Sequence, residues 1–311
     1  MKNLIVADAP HFHSHNSTNR IMLDVVIALL PATIASVVIF GTKALIIDIV
    51  CVLSAIAGEA LFNVIAKQKQ TIADFSAVVT GLLLALNIST NVEIWQCVVG
   101  GVFATLVVKC LFGGLGKNFA NPAITARVFM LVAFSSVAGG AAPVCVDLVS
   151  SATPLELIKN GAELPSLKDM FLGLHAGAIG ETCIVALVLG FIYLLVRRVI
   201  KWHTPVVFIG TVFVLYLIAT GSFSTALYEI LSGGLFLGAI FMATDYVTTP
   251  ITDKGRVVFA LGCAVITFII RYFCAYPEGV SFSILIMNLL VPYIEKYTAS
   301  TPIGGVKHEG Y

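Results

Sequence analysis

Apolar residues run in long blocks along the whole chain, separated by short polar breaks. The blocks are roughly 15 to 25 residues long, the length a helix needs to cross a bilayer core. A transmembrane barrel would instead alternate apolar and polar positions over segments of about ten residues. The pattern predicts an all-α polytopic membrane protein with ten transmembrane helices, near 21–40, 44–66, 75–88, 94–112, 123–139, 172–196, 204–220, 226–243, 256–275 and 280–295. Ten spans divide into five plus five. An odd number per half makes the halves run in opposite senses, so the pattern predicts two inverted five-helix repeats at 21–139 and 172–295. A loop at 140–171 joins them, and polar tails flank them at 1–20 and 296–311.

Inverted-repeat proteins place their sites where short or broken helices meet. The third block of each half has that character. Leu82–Leu86 runs into Asn87-Ile88-Ser89-Thr90-Asn91, and Gly238–Ala243 runs into Thr244-Asp245-Tyr246-Val247-Thr248-Thr249-Pro250. Ala85-x-Asn87-x-x-Thr90 aligns with Ala243-x-Asp245-x-x-Thr248. Polar backbone at such depth is tolerated only where protein or water satisfies it. A further break, Gly113-Gly114-Leu115-Gly116-Lys117-Asn118-Phe119-Ala120-Asn121-Pro122-Ala123, precedes the fifth block. It suits an ordinary turn with Asn121 as helix cap and Pro122 at the first helical position. It equally suits a ligand-binding loop presenting Asn118 and Asn121.

Composition agrees with the membrane reading. Of 311 residues, 59% are hydrophobic and 11% charged, against about 25% charged in an ordinary soluble domain. The net charge of +1 leaves no nucleic-acid footprint. With both tails in the cytoplasm, 14 of the 18 Lys and Arg fall at or near the inner face, as the positive-inside rule asks. Only Lys43, Lys159, Lys168 and Arg271 fall toward the outside, and the 140–171 loop is then extracytoplasmic. The first twenty residues lack the apolar core of a secretory signal, so the block from Ile21 reads as a retained span. The seven cysteines show no C-x-x-C spacing and read as buried thiols.

Charges inside apolar blocks are costly and are functional or paired. Asp24, Asp48, Glu59, Lys109, Arg127, Glu181, Asp245 and Arg271 are of this kind. Asp48 and Glu59 are eleven residues apart, about three helical turns and about 16 Å, so they share a face. Together with Asp245 they are candidates for an ion path, the alternative being salt bridges to neighbours. His11, His13 and His15 alternate in the N-terminal tail, which suits a solvated or partner-bound segment better than a metal site, and His175 reads as structural. No metal site, P-loop or nucleophile elbow is present, and no catalytic residue stands out.

The polar run Asp147-Leu148-Val149-Ser150-Ser151-Ala152-Thr153-Pro154-Leu155 lies between the two halves. Thr153 with Pro154 suits a helix cap. Its hydroxyl, flanked by Ser151 and Ala152, is also unbulky enough to be modified. Attack on the diphosphate of FAD would release AMP and leave FMN joined through its phosphate.

The elements Ser151-Ala152-Thr153-Pro154-Leu155, Gly113 to Ala123, and Phe241-Met242-Ala243-Thr244-Asp245-Tyr246-Val247-Thr248-Thr249-Pro250, with Pro10-His11 near the start, carry a resemblance over essentially the whole chain. The sequence resembles the NqrB/RnfD family of membrane subunits. Its two branches serve the Rnf ion-translocating electron-transport complex and the sodium-pumping NADH:quinone oxidoreductase. The short N-terminal tail is closer to the Rnf branch. The resemblance implies covalent FMN on Thr153, with Ser151 standing where the family's motif has glycine, and a noncovalent riboflavin near Asn118 and Asn121. It also implies a prokaryotic cytoplasmic membrane, partner subunits holding a flavoprotein and iron–sulfur centres, and a flavin transferase for maturation. The implied role is electron transfer between ferredoxin and NAD coupled to Na+ or H+ transport. The alternatives are a cofactor-free inverted-repeat channel or transporter, and the quinone-reducing relative.

Overall fold

The computed structural model describes residues 17–137, 140–144, 152–274 and 279–299. Pro10, the tail histidines, Cys145, Ser151 and the chain beyond Ala299 lie outside the described residues. The regular structure among the described residues is helical: α1 (Thr18–Phe40), α2 (Thr42–Ile65), α3 (Ser76–Leu86), α4 (Ile94–Cys110), α5 (Pro122–Ala133), α6 (Pro154–Asn160), α7 (Leu167–Leu172), α8 (Ile184–Val196), α9 (His203–Thr220), α10 (Phe223–Leu231), α11 (Leu235–Met242), α12 (Asp253–Phe273) and α13 (Val280–Thr298).

Each apolar block contains a helix, but the helices are unequal. α1, α2, α9 and α12 are long and apolar enough to cross a membrane, and α10 with α11 makes a fifth only as a pair bent by 64°. α3, α4, α5 and α8 are shorter apolar helices. Short helices with irregular ends survive at membrane depth only when protein satisfies their backbone. The long helices turn apolar side chains outward: Val38 is 71% exposed and Ile218 76%. Such a surface is a liability in water but matches a lipid surround. The chain is thus a polytopic membrane protein.

Two blocks depart from continuous helices. The block expected at 172–196 becomes a long helix only from Ile184, because Gly173 takes φ +86° and the chain then passes through bends and turns around Gly177 and Gly180. This stretch caps the unwound end of α3: Ile179 N–H donates to Ile88 O at 3.0 Å and Gly180 N–H to Leu86 O at 2.8 Å. The block expected at 226–243 breaks at Ser232–Gly234, with Gly233 at φ +65°. The loop expected at 140–171 contains the short helices α6 and α7.

Helix contacts recur in the two halves. α2 packs on α3 and α4, and α9 packs on α10 and α12. α3 meets α5 as α11 meets α13, while α1–α8 and α5–α13 join the halves. The widened π-helical turns at Phe103–Cys110 of α4 and Gly238–Met242 of α11 are a form often found at functional sites. Small residues set the close crossings: a Cβ on Gly190 of α8 would sit 2.3 Å from Ala28 O of α1.

Candidate functional site

Lys109, on the last turn of α4, is 2% exposed and donates to Glu59 Oε2 of α2 at 2.8 Å. It also donates to Ser76 Oγ at the start of α3, and Thr71 Oγ1 donates to Glu59 Oε1. Both Glu59 oxygens are therefore engaged, and the pair ties the start of α3 to the long helix α2 and to α4. Replacing the donors around a buried carboxylate is costly, so this arrangement is structural glue as much as chemistry.

Lys109 also lines a cavity of ≈ 90 Å³ that Asn118, Asn121, Thr244 and Asp245 share. The structure thus gathers the glycine-rich loop and the second-half break, which sequence spacing left unconnected. Several polar groups here have local partners. Asn118 Nδ2 donates to Ala120 O at 3.0 Å, and Asn121 Oδ1 accepts from Ala123 and Ile124 N–H as the cap of α5. Asp245 Oδ2 accepts from Thr248 Oγ1 at 2.9 Å, and Oδ1 from Val247 N–H at 3.3 Å. The two asparagines expected beside riboflavin both line the cavity, each also making a bond within its own loop.

A second cluster sits where the two broken helices meet. Arg127 of α5 donates Nη1 to Asn87 Oδ1 at 2.8 Å and to Ser281 Oγ of α13 at 2.9 Å. Asn87 Nδ2 lies 3.6 Å from Met242 Sδ, so the first break touches the second half-helix directly. A Cβ on Gly234 would meet Glu181 Oε2 at 3.1 Å and Arg127 Nη1 at 3.4 Å. Arg127 and Glu181 stand out in the sequence as charges in apolar blocks, but nothing along the chain announces that they converge on one glycine.

Asp48 lies apart from these groups. It is 3% exposed, and neither carboxylate oxygen has a hydrogen-bond partner.

Thr153 caps α6. Its Oγ1 accepts from Glu156 N–H at a long 3.4 Å, while Glu156 Oε2 accepts from Thr153 N–H at 2.9 Å, a capping box. Thr153 is half-buried, as is Ala152, and its methyl group lies against Gly140, where a Cβ would approach it to 2.6 Å. Leu155 packs on Gly233, beside the Arg271 guanidinium. α6 is thereby docked on the α10–α11 break, with the threonine hydroxyl at its upstream end. That hydroxyl is held by one long hydrogen bond, so it can accept a phosphoester without displacing a strong interaction. Glu156 places a carboxylate beside that hydroxyl, and its charge opposes a phosphate there.

A model of the NQR2, RnfD, RnfE family matches residues 5–304. The chain is 43% identical over 310 residues to the D subunit of the Na(+)-translocating ferredoxin:NAD(+) oxidoreductase complex of Acetobacterium woodii, covering 98% of this chain and 96% of that one. It is 37% identical over 327 residues to the D subunit of the proton-translocating ferredoxin:NAD(+) oxidoreductase complex of Clostridium ljungdahlii, covering 97% of each. It is 34% identical over 340 residues to the D subunit of an ion-translocating oxidoreductase complex of Escherichia fergusonii, covering 94% of this chain and 96% of that one.

Proposed function

The chain belongs to the NQR2, RnfD, RnfE family, and on that premise we propose that it is the membrane electron-carrier subunit of an Rnf-type complex. The complex couples electron transfer between ferredoxin and NAD to Na+ or H+ transport. The observation that carries this reading is the end-to-end match to two relatives with that activity in their names. These two relatives translocate different ions, so the family does not choose the ion.

Thr153 is the proposed FMN attachment residue, with Ala152 and Ser151 beside it. The flavin, when bound, supplies one- and two-electron redox chemistry. This chain's own residues present the acceptor hydroxyl at the head of α6 and anchor that helix through Leu155 on the α10–α11 break. Soluble partner subunits hold the iron–sulfur and nucleotide sites, and a flavin transferase loads Thr153. The recurring helix contacts of the two halves and their two interrupted helices support ten spans in two inverted five-helix repeats. Both termini are then cytoplasmic and Thr153 extracytoplasmic in a prokaryotic cytoplasmic membrane. Asp48 and Asp245 are the proposed carboxylates of the ion route, with Glu59 held by Lys109 at its inner end. Asn118 and Asn121, which line one cavity with Lys109 and Asp245, are the proposed contacts of a noncovalent riboflavin.

Flavin fluorescence of the denatured protein on a gel tests the attachment, with the transferase co-expressed. The wild-type band is expected to fluoresce and the Thr153→Val band to be dark. A dark wild-type band of unmodified mass, with the transferase active, leaves Thr153 as a helix cap and favours a cofactor-free transporter.

A further inference from the structure

Asp48 is the most unusual polar group among the described residues. It sits on α2, 3% exposed, with both oxygens lacking a hydrogen-bond partner. Every element packed around it has been supplied with groups that do not neutralise it. From α1, the Ser36 hydroxyl lies within hydrogen-bonding reach of the carboxyl, but it is 1% exposed and its proton goes to Thr33 O at 2.7 Å, so it leaves the charge unneutralised. The acid of that helix, Asp24, is paired with Arg197 at 3.1 Å. From α2 itself comes Cys51, one turn on, whose thiol pairs with that of Cys97 on α4. Lys43 is a turn and a half earlier on the same helix and points to the exposed surface. α3 carries no charged residue, and the one cation of α4, Lys109, is bound to Glu59. No ion pair of Asp48 is found among the described residues.

A carboxylate shielded from water and lacking donors is costly unless something neutralises it. A lysine or arginine would do so permanently, as Lys109 does for Glu59. The surroundings of Asp48 suit a partner that comes and goes. They offer the two carboxylate oxygens, one hydroxyl able to turn, and two small, weakly polar thiols.

We propose that Asp48, with Ser36 beside it, is an exchange site for a monovalent cation, H+ or Na+, at the crossing of α1, α2 and α4. This deepens the ion-transport reading above and rests on it for its physiological meaning. Its position fits that role. Asp48 is six residues from the Thr42 end of α2, about 9 Å along the axis. That end is tied to the flavin helix by one short segment: Val144 N–H donates to Ile39 O at 2.8 Å, and Gly140 lies against Thr153. A redox centre on Thr153 and a neutralisable carboxylate therefore share one side of the protein, where an added electron can be balanced by an added cation.

The test uses a hydrophobic carbodiimide on membranes carrying the full chain. The carboxyl O–H adds across one C=N bond, and the adduct rearranges to a stable N-acylurea, so the peptide gains the mass of one carbodiimide. Peptide mass spectrometry is expected to find the adduct on Asp48 and at least tenfold less on Glu59, with none at position 48 in Asp48→Asn. Loss of the adduct on adding Na+ at constant pH identifies Na+ as the occupant. Loss only on raising the pH identifies H+. No adduct on Asp48, or equal labelling of Asp48 and Glu59, overturns the proposal. Because labelling needs no flavin, neither result depends on Thr153 being modified.

Discussion

Two carboxylates share one face of α2, and the two ends of that helix treat them differently. At one end Glu59 receives Lys109 at 2.8 Å and the Thr71 hydroxyl, and Lys109 also reaches Ser76. At the other end Asp48, equally buried, has the Ser36 hydroxyl beside it but no ion pair among the described residues. Nothing in the residue type or in the helix separates them. The separation comes from α4, which ends in Lys109 beside Glu59 but begins with Cys97 near Asp48. Burial alone thus says little about what an acid does. What distinguishes a fixed ion pair from a site that can exchange is whether the neighbouring helix brings a permanent partner.

The comparison can be broken from its fixed end first. Lys109→Met leaves Glu59 buried and unpaired, and the thermal midpoint in detergent should fall by the equivalent of about 3–5 kcal/mol. The double variant Glu59→Leu/Lys109→Met should recover most of that loss. If the single and double variants melt alike, the pair is not what holds the start of α3. A second steric contrast follows. Gly190→Ala should cost about 1–3 kcal/mol by overpacking, because its Cβ meets the Ala28 carbonyl of α1. Unfolding curves report it, and no loss would mean the α1–α8 crossing is looser than described.

The exchangeable end should respond weakly. Asp48→Asn removes a charge that no cation of the protein balances, so its midpoint should stay within about 1 kcal/mol of wild type, in the range of changes that break no ion pair. A collapse like that of Lys109→Met would place a hidden structural partner at Asp48. A comparably small stability effect is expected at Thr153, where Thr153→Val should cost about 0.5–2 kcal/mol for the lost cap. Thr153→Asn keeps a capping side chain and removes the hydroxyl. It should retain the fold and lose the flavin band, which separates cap from acceptor in a single gel.

Much of the scaffold was legible in the sequence because lipid imposes a simple rule of apolar length. The interruptions at Asn87–Asn91 and Thr244–Pro250 were also legible, since polar runs inside apolar blocks have few explanations. The cap at Thr153 followed from Thr-Pro chemistry. The irregular run from Gly173 to Cys183 was not legible: it borders an apolar block that reads as one helix, and its Ile179 and Gly180 N–H groups go instead to Ile88 O and Leu86 O. Pairings were the least legible part. Helical spacing puts Asp48 and Glu59 on one face but does not reveal the facing residue, and Lys109 is fifty positions away from Glu59. The junction of Arg127, Asn87, Glu181 and Ser281 draws on four separate stretches for the same reason.

The most direct test of the account is ion uptake per electron transferred, in sealed vesicles containing the whole complex. Wild type is compared with Asp48→Asn, with the flavin fluorescence of each band recorded in parallel. The account predicts that Asp48→Asn retains its fluorescent band and loses most ion uptake per electron. Undiminished uptake per electron in Asp48→Asn would contradict it.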